Sequence, residues 1–233
     1  MFKWVFKIWL GALLCPLFPA IALSGPLSSM VVNTNNNHLY ILLSSANWTD
    51  SEAEAVSLGG HLATVRNQAE QDWIFNSFGG YGGQQRLLWI GLNDTNQVFN
   101  FTWVSSEPLT YANWASGEPN NAGGVEHYVA MYYPNFNQPG KWNDWSDRTQ
   151  DPIGLPFNGV VEINPVLGAS RLVGGALQFS WPVAMSNAVL EATSDLSQPF
   201  SSFSYSRITN AGNGAFSVVV PATATQMFFR LRQ

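Results

Sequence analysis

Cysteine is almost missing from this 233-residue chain, in which Cys15 stands alone. It lies in an N-terminal segment with Lys3 and Lys7, an apolar run from Ile8 to Ala22, and a small-x-small ending at Ala20-Ile21-Ala22. That order is the pattern of a secretory signal peptide over residues 1–22, removed on export. Read instead as an uncleaved anchor, the run is short of the roughly 20 apolar residues a membrane span needs. The mature chain is therefore expected to be secreted or held at the cell surface, without any disulfide, and to rely on its core alone.

Charge is scarce too: only 11% of residues are Asp, Glu, Lys or Arg. Without Lys3 and Lys7, Lys plus Arg falls from 10 to 8 against 15 acids, a net of −7. An acidic, charge-poor surface argues against nucleic acid or anionic membranes as partners. Histidine is limited to His38, His61 and His127, none beside a Ser or Cys nucleophile, and no phosphate loop, zinc spacing or catalytic dyad occurs. These absences point away from an enzyme. Aromatic residues are plentiful, with ten Trp, fifteen Phe and seven Tyr to build a core.

The patterning divides the chain in two. In the first block, Asn33–Asn37 reads as a flexible lead-in and His38–Ser44 as a strand. Asp50–Leu58 predicts a helix capped by Thr49 or Asp50 and stopped by Gly59-Gly60. A second helix fits residues 67–78, with Asn67 as cap and Glu70 three residues on. Strands follow at Leu87–Leu92, Phe101–Val104, Glu126–Tyr132, Lys141–Trp145 and Gly159–Ile163. A loop rich in Pro, Asn, Gly and Trp separates two of them, from Ser105 to Gly124, and loops of that length are usually functional. The block, residues 38–164, reads as α+β.

In the second block, Val166–Ala176 reads as a Gly-rich linker merging into a first strand. Short strands are expected at Leu177–Trp181, Val189–Thr193, Phe200–Ile208, Ala215–Val220 and Met227–Leu231. Regular short strands with turns between them predict a small all-β sandwich over residues 175–233. Its size argues for support from its neighbour.

Glu118-Pro119-Asn120, Glu126 and Trp142-Asn143-Asp144 place five side-chain oxygen donors, three of them carboxylates, within 27 residues. A hard cation such as Ca²⁺ takes six to eight oxygens. Five donors leave room for a ligand to complete the shell, and a pair of sugar hydroxyls would suit. An Asn offers both an acceptor oxygen and an NH₂ donor, whereas a carboxylate only accepts. Taken singly, such Asn and Asp residues are more often turn formers. A glycosidase would instead set two carboxyls about 5–9.5 Å apart across a cleft, and clustered acids fit a metal better.

Trp48 with the acidic helix after it, Leu58-Gly59-Gly60-His61-Leu62-Ala63, Trp89-Ile90-Gly91-Leu92, Tyr111-Ala112-Asn113-Trp114, Glu118-Pro119-Asn120 and Trp142-Asn143-Asp144 occur in that order. From about Tyr40 to Asn164 the series resembles the C-type lectin-like domain. The resemblance implies a fold of two helices, small mixed sheets and a long loop, and a calcium-dependent carbohydrate-binding protein. It implies that Glu118, Asn120, Glu126, Asn143 and Asp144 bind one Ca²⁺ and the sugar together, with Pro119 in cis. The Glu-Pro-Asn form implies vicinal equatorial hydroxyls, as in mannose, glucose and N-acetylglucosamine. Trp145 is a further sugar-binding residue by this reading, stacking on a sugar face, and is equally a core residue.

Departures from the family pattern are visible. Ala55 with Val161, and Tyr128 with Asp147, stand where two disulfides are expected, the first pair available for packing and the second for a hydrogen bond. Of the positions of an auxiliary calcium site, Asp94 matches, while Val98, Asn121 and His127 do not. In the C-terminal block, Leu190-Glu191-Ala192-Thr193-Ser194-Asp195-Leu196 and Phe228-Phe229-Arg230-Leu231-Arg232 look similar to the immunoglobulin-like or fibronectin-like modules of secreted bacterial proteins. A second reading makes the chain an extracellular adhesion or matrix protein whose lectin-like fold binds protein, with calcium ordering the loop only.

Overall fold

The computed structural model describes residues 25–164, 167–172, 176–194, 197–202, 205, 208–210, 215–221 and 228–232. The signal-peptide reading of residues 1–22 lies outside them, as does Cys15. No helix among the described residues is long and apolar enough to cross a membrane.

In the first block, strand β1 (Val31–Asn33) pairs with β2 (His38–Ser45), followed by helix α1 (Trp48–Ser57), β3 (His61–Leu62) and helix α2 (Gln68–Phe78). Then come β4 (Leu87–Asn93), β5 (Thr102–Trp103), β6 (Tyr128–Met131), β7 (Trp142–Trp145) and β8 (Phe157–Ile163). They form one mixed sheet in the order β1-β2-β8-β4-β6-β7, with β3 added to β8 and β5 to β4. Only β4 and β8 run parallel. This is the C-type lectin fold, with its two helices and long loop.

Local chemistry explains the helix ends. The α1 cap is Asn47, not Thr49 or Asp50: its side chain accepts the Asp50 N–H at 2.7 Å, so the helix opens at Trp48. Asn67 caps α2 in the same way, through the Glu70 N–H at 3.0 Å. Gly59, at φ 88°, closes α1 while the Gly60 N–H reaches back to the Ala55 carbonyl at 3.0 Å.

The stretch 33–37 is a tight ordered turn and not a flexible lead-in. Asn33 is fully buried, its side-chain oxygen accepts the Asn35 N–H, and Asn36 donates to both Tyr40 and Glu70. Gly91 is needed where it is, because a Cβ there would lie 2.4 Å from the Leu62 carbonyl oxygen.

One face of the sheet packs on α2 through Tyr40, Leu42, Ile74, Phe78, Leu88, Ile90 and Trp142. A second cluster gathers Trp48, Leu62, Leu87, Trp89, Ala130, Trp145 and Phe157.

The described residues of the second block form β strands and one short helical turn, Val183–Met185. Strands β9 (Gly168–Arg171), β10 (Leu177–Pro182), β13 (Ile208–Asn210) and β14 (Ala215–Val220) make one antiparallel sheet, in the order β13-β14-β10-β9. β11 (Val189–Thr193), β12 (Ser201–Ser202) and β15 (Phe228–Arg232) make another, in the order β12-β11-β15. Two such sheets fit a sandwich. Part of the expected linker is thus a strand, β9, paired with β10 from Leu177 to Ser180. The strand expected over residues 200–208 is two short ones that join different sheets, β12 and β13.

The two blocks share a core. Leu39, Ile41 and Leu43 of β2 and Val161 and Ile163 of β8 form one buried cluster with Phe179, Trp181, Met185, Leu190 and Val218 of the sandwich. Ala55 and Val161, the first pair standing where a disulfide is expected, are both fully buried in this cluster. The second pair is not a contact of the expected kind. Asp147 accepts from the Thr49 hydroxyl at 2.7 Å, and the Tyr128 ring lies against Trp48 at 4.6 Å.

Candidate functional site

The anchor of the site is Trp142, fully buried at the start of β7. Its indole N–H donates to Gln71 of α2 at 2.7 Å, and Trp103, Tyr111 and Trp114 meet its ring edge-on. The backbone beside it is equally fixed: Trp142 N–H donates to the Asn113 carbonyl and Ala115 N–H to the Trp142 carbonyl, each at 2.8 Å. The long loop is thereby laid along β7, and a turn from Ala115 brings Glu118 back over the following residues. The Glu118–Pro119 bond is cis.

Asp144 is fully buried, and its two oxygens accept the N–H groups of Asn120 at 3.0 Å and Asn121 at 2.8 Å. Asn121 sits at φ 45°, a left-handed conformation that Asn tolerates better than most residues. Its side-chain oxygen accepts the Glu126 N–H, while Glu126 accepts the Ala122 N–H. Two carboxylates and one amide therefore fold residues 120–126 into a closed turn.

The structure brings the carboxylates of Glu118, Glu126 and Asp144 together. Burial pushes the Glu118 carboxyl up to about 7, helped by the charges of Asp144 and Glu126, and Glu126 is raised mainly by burial. Tyr132, absent from the sequence reading of the site, lies close enough to feel all three acids. Burial and then these charges push its phenol up to about 12. Asn143 is buried, whereas Asn120 is exposed.

Glu118 Oε2 and Asn143 Oδ1 are buried oxygens with no hydrogen-bond partner among the described residues. Such atoms are costly unless something meets them. Three carboxylates brought together, one of them with an unmet oxygen, and the unmet Asn143 Oδ1 in the residue before Asp144 are donor chemistry that would suit a hard cation. Among the described residues, no group of three His, Cys, Asp or Glu side chains is by itself placed to hold a metal. A cation held there would need the amides of Asn120 and Asn143 beside the acids.

A pH dependence follows. Carboxyl groups must be ionised to hold a cation, so calcium affinity is expected to fall as pH drops from 8 to 6 and Glu118 protonates. Cation-free stability runs the other way. A carboxyl raised in the folded state adds stability fully present below its unfolded value near 4.3, and lost as pH rises through about 7. Thermal midpoints in EDTA at several pH values test this, since the slope is expected to be shallower in Glu118→Gln.

Trp145 is 9% exposed, with its ring against Phe157 and Tyr132 and the Arg148 guanidinium 5.6 Å from the ring centre. This is the packing of a core residue, not of an open stacking face. Where an auxiliary cation was in question, His127 Nδ1 meets Asp94 Oδ1 at 2.8 Å, and the other oxygen of Asp94 accepts the Phe99 N–H.

Residues 44–153 match the profile of the lectin C-type domain. The salivary C-type lectin 2 of Aedes albopictus is 31% identical over 104 residues, which cover 42% of this chain and 69% of that one. The low affinity immunoglobulin epsilon Fc receptor of Mus musculus is 34% identical over 100 residues, 43% of this chain and 27% of that one. The first curated relatives are thus spanned over about a third of their length or less. A solved structure of the EPNH mutant of CEL-I superposes with a TM-score of 0.50 at 28% identity, covering 58% of this chain and 94% of that one. With the fold, the pinned loop and these relatives taken together, the chain belongs to the C-type lectin family.

Proposed function

We propose that this protein is a secreted, calcium-dependent carbohydrate-binding protein that performs no chemistry on its ligand. The observation that carries the reading is the gathering of the Glu118, Glu126 and Asp144 carboxylates, each near enough to act on the next, with Glu118 Oε2 buried and unmet by any hydrogen bond among the described residues. Glu118, Asn120, Glu126, Asn143 and Asp144 are the residues that would hold Ca²⁺. Calcium bound there supplies open coordination positions for two vicinal hydroxyls of a sugar.

The chain's own groups do the rest. Glu118 and Glu126 accept hydrogen bonds from those hydroxyls, and Asn120 and Asn143 donate through their NH₂ groups. An acid before Pro119 and an amide after it set the order of acceptor and donor along the site. That order favours equatorial 3- and 4-hydroxyls, as in mannose, glucose and N-acetylglucosamine. Asp144, with both oxygens on backbone N–H groups, holds the turn in shape. Residues 38–164 are the recognition unit, and the β-sandwich is an immunoglobulin-like or fibronectin-like module that supports it.

The test is retention on mannose-agarose in calcium, with release by EDTA, beside the double variant Glu118→Gln, Asn120→Asp. The variant exchanges the donor and acceptor sides, so its retention is expected to move toward galactose-agarose. Folded protein that passes through every sugar column in calcium would overturn the reading.

A further inference from the structure

The connection between β6 and β7, residues 132–141, is ten residues long, whereas hairpin loops usually take two to five. Its ends are closed by hydrogen bonds between Tyr132 and Lys141 at 2.9 Å and between Gly140 and Tyr132 at 3.1 Å. Within it the rings of Tyr132 and Phe136 stack at 3.8 Å and 19°, and Tyr133 meets Phe136 edge-on at 5.5 Å. All three rings are only partly buried, and the exposed residues Asn135 and Asn137 flank Phe136.

This loop is fastened to the cation-site loop. Gln138 accepts the Ser116 N–H at 2.8 Å, two residues before Glu118, and Lys141 donates to the Asn113 side chain at 2.6 Å. Strand register puts Tyr132 beside the site as well. Ala130 stands opposite Asn143, so Tyr132, two residues on, shares the sheet face of Asn143. The inner sides of Tyr132 and Tyr133 pack on the core cluster of Trp89 and Trp145, which holds the rings in place and leaves their outer sides toward solvent.

We propose that Tyr132, Tyr133 and Phe136 form an aromatic shelf for a second sugar residue, next to the one held at the cation site. The ligand is then an oligosaccharide, not a single sugar. One sugar residue meets the cation through its hydroxyl pair. The next lays an apolar ring face on the shelf and offers its hydroxyls to Asn135 and Asn137. The proposal rests on the sugar-binding reading above, which it deepens.

Calorimetric titration in calcium tests it, with the methyl glycosides of mannose and N-acetylglucosamine set against mannotriose and chitotriose. The native protein is expected to bind one of the two trisaccharides about tenfold more tightly than its methyl glycoside, the scale of one added aromatic contact. Phe136→Ala is expected to abolish that difference and leave the methyl glycoside affinity unchanged. Phe136→Tyr, which keeps the ring, is expected to retain it, and thermal midpoints check that both variants are folded. Equal affinity for short and long ligands in the native protein overturns the shelf alone. A Phe136→Ala variant that weakens both equally does the same. Absence of any saccharide binding in calcium removes the cation reading and the shelf together.

Discussion

Replacement of Asp144 by alanine is expected to lower calcium affinity by at least about 100-fold, the largest loss of any single change at the site. Asp144 does two jobs with one fully buried carboxylate. It is one of three acids around the proposed cation, and it holds the N–H groups of Asn120 and Asn121. Hydrogen bonds to a charged acceptor are worth about 1.5–3 kcal/mol each. Alanine leaves both donors unmet, so the turn that carries Asn120 and Glu126 opens together with the lost ligand. Asp144→Asn separates the two contributions. It preserves the shape of the side chain and one acceptor oxygen, so the fold is expected to persist while calcium affinity still falls. Calorimetric titration with calcium reads both variants, and native affinity in Asp144→Ala would dismiss the assignment of the site.

The second large effect lies far from the site. Ile41→Asp is expected to destabilise the whole chain by more than about 4 kcal/mol. Ile41 is 5% exposed in the apolar cluster shared by β2, β8 and the sandwich, where a carboxylate would be stripped of water. A chain ending at Asn164 is expected to fare similarly, because Leu39, Ile41 and Ile163 lose the apolar cover given by the sandwich. Thermal unfolding of the full chain is expected to show one transition by both far- and near-ultraviolet circular dichroism. A shortened chain with an unchanged midpoint would show that the recognition unit stands without its neighbour.

What could be read in advance depended on whether the governing contacts were local. Asn67 was legible as a cap because the acceptor and the N–H it meets are three residues apart. At α1 the residues Asn47, Thr49 and Asp50 are all good caps, and the choice among them is tertiary: Asp147, 98 residues from Thr49, takes the Thr49 hydroxyl and leaves Asn47 the cap. The turn at residues 33–37 was misread for a similar reason, since a run of Asn looks solvated until Tyr40 and Glu70 are placed beside Asn36. The oxygen donors from Glu118 to Asp144 stood out because their types and spacing are the chemistry itself. Tyr132 did not, because its relation to the acids passes through strand register. The shared core was hidden as well: a continuous apolar run shows that β2 has two apolar faces, but not what covers the outer one.

That cover fixes how the molecule presents itself. The sandwich packs on β2 and β8, toward one margin of the sheet, while β7 and the loop carrying Glu118 lie at the other. A protein tethered through its C-terminal block to a bead, a matrix or a neighbouring cell would thus point its proposed sugar site outward. Immobilisation from that end keeps the site accessible, and attachment near the long loop would obstruct it.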